Sequence, residues 1–203
     1  MLNKWIATGV LLMGMIQSQA WAADSEGKFS VRSMGLATCS QYVEEKAKAE
    51  GKYAAFLGWM EGYLTATSQY AKDTYDVVPW GNAVYLGTML AVHCKANPEQ
   101  RFYVAVASLA RAMKSNRIVS LSPVVEAKNG EHKAYLYKEV LERLQTWLKE
   151  NKYYDGAIDG AYGNKMRDAI MKFQKTVGME ETGVPDQLLL HRALLQSQAE
   201  KAK

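Results

Sequence analysis

Apolar residues recur at helical spacing through the first half of the chain. Phe56 and Met60 belong to one such stripe, in which the intervals are three and four residues. A helix start is indicated by Asn97, Pro98 and Gln100, because Asn caps helices, Pro fits the first position and Gln completes a capping box. We predict helices over residues 38–51, 52–70, 82–95 and 98–116.

The last third of the chain has three further amphipathic segments. Leu136, Val140, Leu144 and Leu148 repeat at intervals of four, which predicts a helix that starts near Glu131. A second helix is predicted after a cap at Asn164, with Met166, Ala169, Ile170, Phe173 and Val177 on its apolar face. A third is predicted to begin around Pro185 and Asp186.

Between these halves, residues 118–130 contain Ser, Pro, Asn and Gly and no helical stripe. We interpret them as a linker. The pattern therefore predicts an all-α protein of two small helical domains, over residues 34–117 and 131–197.

The N-terminus has the three parts of a secretory signal peptide. Lys4 precedes an apolar run from Trp5 to Ile16, and Ala20-Trp21-Ala22 forms a small-x-small cleavage site. We predict a signal peptide over residues 1–22, a mature chain from about Ala23, and a periplasmic or secreted protein. The apolar run is shorter than the ~20 residues of a membrane span, so an uncleaved anchor is the less favoured alternative. No later segment has the length and apolar character that a span requires.

Cys39 and Cys94 are the two cysteines of the chain. In an oxidising compartment they are expected to form a disulfide. The alternatives are two free thiols or half of a metal site. The wide spacing and the lack of a CxxC pattern argue against a metal, and we expect neither a metal nor a cofactor.

Charge and motifs restrict the function classes. The net charge is +4 with acidic and basic residues interleaved, and no basic stripe indicates nucleic-acid binding. HExxH and GxSxG motifs are both missing from the sequence. Glu61 is the one candidate for a lytic general acid, but helical spacing places it on a polar face with Thr65, Ser68 and Lys72. We expect a protein that is not an enzyme.

The C-terminal third resembles the three-helix peptidoglycan-binding domain of bacterial wall hydrolases. The resemblance covers about residues 136–195 and implies an all-helical module that binds peptidoglycan. Pro185 before Asp186 is a departure from the family pattern. The matching elements are Leu144-Gln145, Tyr153-Tyr154-Asp155-Gly156, Ile158-Asp159-Gly160, Tyr162-Gly163, Ala169-Ile170, Phe173-Gln174, Thr182-Gly183-Val184 and Leu189.

The loop before the second helix of this module is the predicted binding surface. Glycine allows tight turns there, and Asp155 and Asp159 are expected to hold the loop through backbone amides. Sugars and peptide stems require hydrogen-bonding groups beside flat apolar faces. The candidate ligand-binding residues are Tyr153, Tyr154, Asp159, Tyr162, Asn164, Lys165 and Arg167.

The N-terminal half has a looser resemblance to small disulfide-linked periplasmic helical proteins, such as the acid-stress chaperone HdeA and Tai-type immunity proteins. Trp59-Met60-Glu61-Gly62-Tyr63, Cys94 and Asn97-Pro98 carry it. We expect a protein whose C-terminal module holds the wall and whose N-terminal domain binds a protein partner. A wall-remodelling enzyme and a wall-tethered chaperone or inhibitor are the alternatives.

Overall fold

The computed structural model describes residues 23–24, 26–49 and 51–196. The predicted signal peptide lies outside them. The described residues up to Ser30 belong to a separate unit, in which the Asp24 carboxylate accepts hydrogen bonds from the amides of Glu26 and Lys28. Those from Val31 onward form a second unit. The division of that unit into two domains stays a prediction.

Four helices form the N-terminal part. The first is α1, where Thr38 and Gln41 make a reciprocal capping box. The core between the helices is aromatic: Phe102 packs against Tyr42 and Phe56, with ring centroids 4.7 and 4.9 Å away. The helices are α1 (Cys39–Lys48), α2 (Gly51–Tyr70), α3 (Ala83–Ala96) and α4 (Phe102–Met113).

The predicted disulfide is confirmed. Cys39 and Cys94 are bonded and both are fully buried. The bond joins the first residue of α1 to the last turn of α3, across a sequence separation of 55 residues. It therefore closes a loop that contains all of α2 and most of α1 and α3.

The predicted start of α4 is wrong. Asn97 ends α3, with its Nδ2 donating to the His93 carbonyl, and α4 begins at Phe102 after Arg101. The intervening residues are held by the start of α1, because the Cys39 amide donates to the Gln100 carbonyl and Thr38 forms an antiparallel β-bridge with Arg101. These tertiary hydrogen bonds hold the residues before Phe102 outside the helix, although the local sequence favours a helix start there.

The all-α prediction also needs correction, because a two-stranded antiparallel hairpin separates α4 from the next helix. Its strands are β1 (Val124–Asn129) and β2 (His132–Tyr137), joined by a turn in which Gly130 has φ +58°. The second half of the expected linker is thus strand up to Asn129, and the helix expected near Glu131 starts at Lys138. Asn129-Gly130 is a strong hairpin-turn signal between β-forming segments.

Three helices follow the hairpin. Two of them, α5 and α6, bury Leu144, Leu148, Ile170 and Phe173 at the spacing that the sequence predicts. The third helix begins at Gln187, beside the predicted start around Pro185 and Asp186, and Asp186 caps it through its Oδ1. The residue that caps α6 is Gly163 and not Asn164. The helices are α5 (Lys138–Glu150), α6 (Asn164–Thr176) and α7 (Gln187–His191), which continues as a π-helical turn over Arg192–Gln196.

Hydrogen bonds from two side chains connect the N-terminal part to the C-terminal helices, beside a ring contact between Tyr85 and His191. Gln187 donates to the Trp80 carbonyl at 3.0 Å and accepts from the Asn82 amide at 3.1 Å. Arg143 of α5 donates to the carbonyls of Asn116 and Arg117 after α4. Within the described ranges, none of the helices has the length and apolar character of a membrane span.

Candidate functional site

A buried glutamine of α5 organises the loop that precedes α6. The Gln145 side chain is fully buried, and its Oε1 accepts from the amides of Asp159 and Gly160 at 2.9 and 2.8 Å. Its Nε2 donates to Asp159 Oδ1 at 2.9 Å and to the Ala161 carbonyl at 3.1 Å. The Gln145 side chain thus pairs with backbone groups of all three residues 159–161, which fixes this turn against α5.

A second buried glutamine does the same for the loop before α7. Gln174 of α6 accepts from the Gly183 amide at 2.9 Å and donates to Thr182 Oγ1 at 2.9 Å. It also donates to the Val184 carbonyl and to Asp186 Oδ2. Gly183 has φ +71°, so the left-handed turn favours glycine there. Each loop of the module is therefore anchored by the helix before it.

The first loop and the start of α6 enclose a groove of about 410 Å³. The groove brings together four of the predicted site residues, Tyr154, Asp159, Asn164 and Lys165. Gly156, Ala157, Ala161, Gly163 and Met166 complete its lining.

The polar groups of the groove have defined partners. Asp159 Oδ1 accepts from the Ala161 amide at 2.9 Å, and this bond, together with that from Gln145, holds the pKa of the Asp159 carboxyl below its usual value. Burial raises the pKa of Tyr154, whose hydroxyl donates to the Ala157 carbonyl at 2.8 Å. Lys165 pairs with Asp155 at 3.2 Å, and both side chains are largely exposed.

The N-terminus of α6 opens onto this groove without a side-chain cap. Gly163 occupies the capping position and offers no side chain to the first amides of the helix. Those amides give one end of the groove a positive potential, and the Lys165 ammonium in the same turn is paired with Asp155. The Asp159 carboxylate lines the same groove and provides an acceptor.

The other three predicted residues lie outside the lining of the groove. Tyr153 packs edge-on against Phe173, with the ring centroids 5.5 Å apart. Tyr162 donates its hydroxyl to the Gly183 carbonyl at 2.8 Å, and burial raises its pKa. Arg167 forms an ion pair with Asp168 at 2.7 Å and is only partly exposed. Tyr153 therefore packs on α6, Tyr162 holds the loop before α7, and Arg167 pairs within α6.

The sequence prediction missed the role of the two glutamines, although it included both in the matching pattern. The signal was their position: Gln145 and Gln174 each lie directly after a core residue of an otherwise apolar stripe. The prediction that Asp159 holds the loop through a backbone amide agrees with the structure. Asp155 differs, because it pairs with Lys165 at the surface.

In the N-terminal part, Glu61 is exposed on α2 and borders a depression of about 300 Å³. Thr65, Ser68 and Asp76 also line it. Asp76 is partly buried, and its Oδ1 accepts from the Val78 amide at 2.8 Å. Across the residues that the structure describes, no group of three or more His, Cys, Asp or Glu side chains could hold a metal ion.

Comparison with known proteins places one part of the chain in a family. Neither the curated proteins nor the solved structures contain a match to the sequence. The family match begins at the first residue of α5, includes both glutamine-anchored loops, and ends one residue after α7. Residues 138–192 match the model of the peptidoglycan binding domain family.

Proposed function

We propose that this chain is an exported, non-catalytic protein that holds peptidoglycan through its C-terminal module and meets a protein partner through its N-terminal helices. The observation that carries the proposal is the family match over residues 138–192. The matched segment contains the whole lining of the groove at the start of α6. Cell-wall binding is therefore assigned to a site with defined chemistry.

The groove suits the acidic and amide groups of peptidoglycan. Peptide stems and lactyl ethers carry carboxylates and carbonyls, which are acceptors. Lys165, the Asn164 amide and the open N-terminus of α6 supply donors at one end of the groove. Asp159 supplies an acceptor for hydroxyl or amide donors. Because Gln145 fixes the loop before ligand arrives, little ordering entropy is lost on binding.

Export and partner binding rest on separate observations. The Cys39–Cys94 disulfide is typical of an oxidising compartment such as the periplasm, and the signal-peptide pattern agrees with it. For a protein partner, α3 offers Val84 and Val92, which are 63% and 69% exposed and lie two helical turns apart on one face.

The groove assignment is tested by binding of the full chain to purified sacculi. Lys165→Ala removes a donor at the groove, and we expect its affinity to fall about tenfold, which corresponds to ~1.4 kcal/mol. Lys175→Ala is the matched control, since Lys175 is an exposed lysine in the last turn of the same helix. Equal binding by both variants and the wild type would remove Lys165 from the site.

The depression beside α2 favours one second candidate, a wall-remodelling hydrolase. Glu61 and Asp76 both border it, and glycoside cleavage uses two carboxyl groups. The test is release of soluble fragments from labelled sacculi by the full chain. Release that disappears in Glu61→Gln and persists in the control Glu44→Gln would replace the non-catalytic proposal, and no release would support it.

A further inference from the structure

A cleft of about 720 Å³ lies beside the free edge of strand β2. Residues of the 76–82 loop form one of its walls and residues of the 182–187 loop form another, while residues 132–135 of β2 line the third side. Consecutive residues of a strand share an edge but not a face, so β2 presents its backbone to this space. We refer to the space as the hairpin cleft.

Two residues of β2 point their backbone hydrogen-bonding groups into the cleft. Asn129 and His132 flank the two-residue turn as a hydrogen-bonded pair, and such pairs alternate along an antiparallel ladder with pairs whose N–H and C=O groups face outward. Lys133 and Tyr135 are the outward residues of the cleft lining. Their backbone groups have no hydrogen-bond partner among the described residues. The edge therefore offers two donors and two acceptors at the spacing that an added strand matches.

The walls of the hairpin cleft are held at a fixed spacing. Gln187 donates to the Trp80 carbonyl and accepts from the Asn82 amide, so it joins the two loops. Asn129 Nδ2 donates to the Thr182 carbonyl at 2.9 Å, which ties the hairpin turn to the second loop. Because these bonds already order the cleft, a partner that enters it loses little affinity to ordering of the protein.

The shape of the cleft restricts what can pair with the edge. The four lining residues of β2 span about 13 Å at a strand rise of about 3.3 Å per residue, so about four residues of an extended chain lie along them. A helix cannot pair with the edge, because its backbone groups bond within the helix. With loops on both sides of the cleft, the edge accommodates a single extended segment.

The unmatched charge beside this edge is positive. Lys128 and Lys133 lie directly opposite each other in the hairpin, and both are exposed. Neither forms an ion pair within the described ranges. Like charges directly opposite destabilise a strand pair, so an acidic side chain beside Lys133 would relieve their repulsion. A second copy of β2 would bring more lysines to the edge, which disfavours pairing of the chain with itself.

The carboxylates of the cleft lining do not compete for Lys133. Asp76 accepts from the Val78 amide at 2.8 Å, and Asp186 caps α7. Between the two outward residues of β2, Ala134 is half-buried on the inner face of the hairpin. A residue paired with Ala134 would point the same way, toward a lining that includes Val78 and Val184, so an apolar side chain suits that position.

From this geometry we infer that the hairpin cleft receives an extended segment of a partner protein, which adds to β2 as a third, antiparallel strand. The segment bonds to the backbone of Lys133 and Tyr135, and it carries an acidic residue opposite Lys133 and an apolar residue opposite Ala134. In the antiparallel orientation both backbone groups of each outward residue bond to one residue of the segment. The inference goes beyond the proposed function, since it does not depend on peptidoglycan binding.

The probe is the blocked peptide acetyl-Thr-Val-Ile-Glu-Thr-amide, in which the antiparallel orientation places Ile opposite Ala134 and Glu opposite Lys133. It is titrated to millimolar concentration into the oxidised protein, and amide exchange with solvent is measured by NMR. Exchange of the Lys133 and Tyr135 amides should slow saturably. The outward amides of Glu126 and Lys128, on the opposite edge of the hairpin, are the internal control and should keep their rates.

Two proline variants at one rung of the hairpin provide matched proteins. Tyr135 and Glu126 are paired in the register, and both N–H groups face away from the partner strand, where proline is tolerated. Tyr135→Pro removes a donor that faces the cleft, and we expect peptide affinity to fall about tenfold. Glu126→Pro removes the corresponding donor of the opposite edge and should bind like the wild type.

A charge cycle tests the acidic residue. Lys133→Ala should weaken binding of the peptide roughly two- to fivefold, whereas a peptide with Gln in place of Glu should bind this variant and the wild type equally. Equal binding of the Glu peptide by both proteins would overturn the choice of an acidic segment.

The remaining outcomes decide whether a strand adds at all. Unchanged exchange at Lys133 and Tyr135 with millimolar peptide overturns the inference, and so does slowing at Glu126 and Lys128 instead. Slowing that needs no peptide and increases with protein concentration would assign the edge to a second copy of the chain. Each of these results leaves peptidoglycan binding intact, because sedimentation with sacculi is measured without the peptide.

Discussion

Replacing Gln145 by Leu should destabilise the C-terminal module and disorder the groove. The substitution keeps the approximate volume of the side chain, so a cavity contributes little. It removes every hydrogen bond of the amide. Those bonds run to the backbone of Asp159, Gly160 and Ala161, to the Asp159 carboxylate and to the Tyr154 hydroxyl.

The magnitude follows from which partners can reach water. The Gly160 amide is buried and would lose its acceptor, which costs ~1–3 kcal/mol. Asp159 and Ala161 are exposed, so their groups can bond to water and each loses only about 0.5–1 kcal/mol. The expected loss of unfolding free energy is therefore about 2–5 kcal/mol in total.

Urea denaturation followed by circular dichroism measures this loss directly. The matched control is Gln69→Leu, an exposed glutamine of α2 with no hydrogen-bond partner in the described part of the chain, which should change stability by less than about 0.5 kcal/mol. Amide hydrogen exchange at Gly160 should also accelerate in Gln145→Leu.

A change in unfolding free energy below about 1 kcal/mol in Gln145→Leu would refute the reasoning, because the loss of the hydrogen bonds of a buried amide would then have almost no effect on stability. Equal effects in Gln145→Leu and Gln69→Leu would show that helix propensity, and not the loop contacts, accounts for the difference.

Three further predictions concern the disulfide, the core and pH. Reduction of Cys39–Cys94 should cost up to about 4 kcal/mol by loop entropy, read as a lower melting temperature; an unchanged value would show that the aromatic core suffices. Phe173→Ala, which removes a ring 3% exposed, should cost ~3–5 kcal/mol in urea denaturation, and a cost under about 1 kcal/mol would contradict the core assignment. The pKa of Asp159 is lowered in the folded state, so its carboxylate adds stability above pH ~3.9, and this contribution is lost as pH falls through the folded-state pKa. Asp159→Asn should therefore reduce the decrease in unfolding free energy at acid pH.

The helices of the module could be predicted because their stripes are local. Leu144 and Leu148 repeat on one face of α5, and Ile170 and Phe173 do so on α6. The hairpin was missed for a related reason. Leu136 lies four residues before Val140, so it fits the helical stripe, but it belongs to strand β2 and is buried there.

Features that depend on distant residues could not be predicted from local patterns. Asn97 and Pro98 have a good helix-start sequence, but the backbone that follows them bonds to the start of α1 instead. The bonds of Gln145 to the loop span 14 to 16 residues, and those of Gln187 to residues 80–82 span more than 100. For this reason the sequence did not predict the contacts of Gln187, although four of the predicted site residues do lie together at the groove.

Co-sedimentation of the mature chain with purified sacculi tests the central proposal most directly. The chain is incubated with sacculi or with the same mass of insoluble cellulose, and the pelleted fraction is measured against protein concentration. We predict saturable pelleting with sacculi and almost none with cellulose. A folded, oxidised chain that stays in the supernatant with sacculi from several bacteria would contradict peptidoglycan binding.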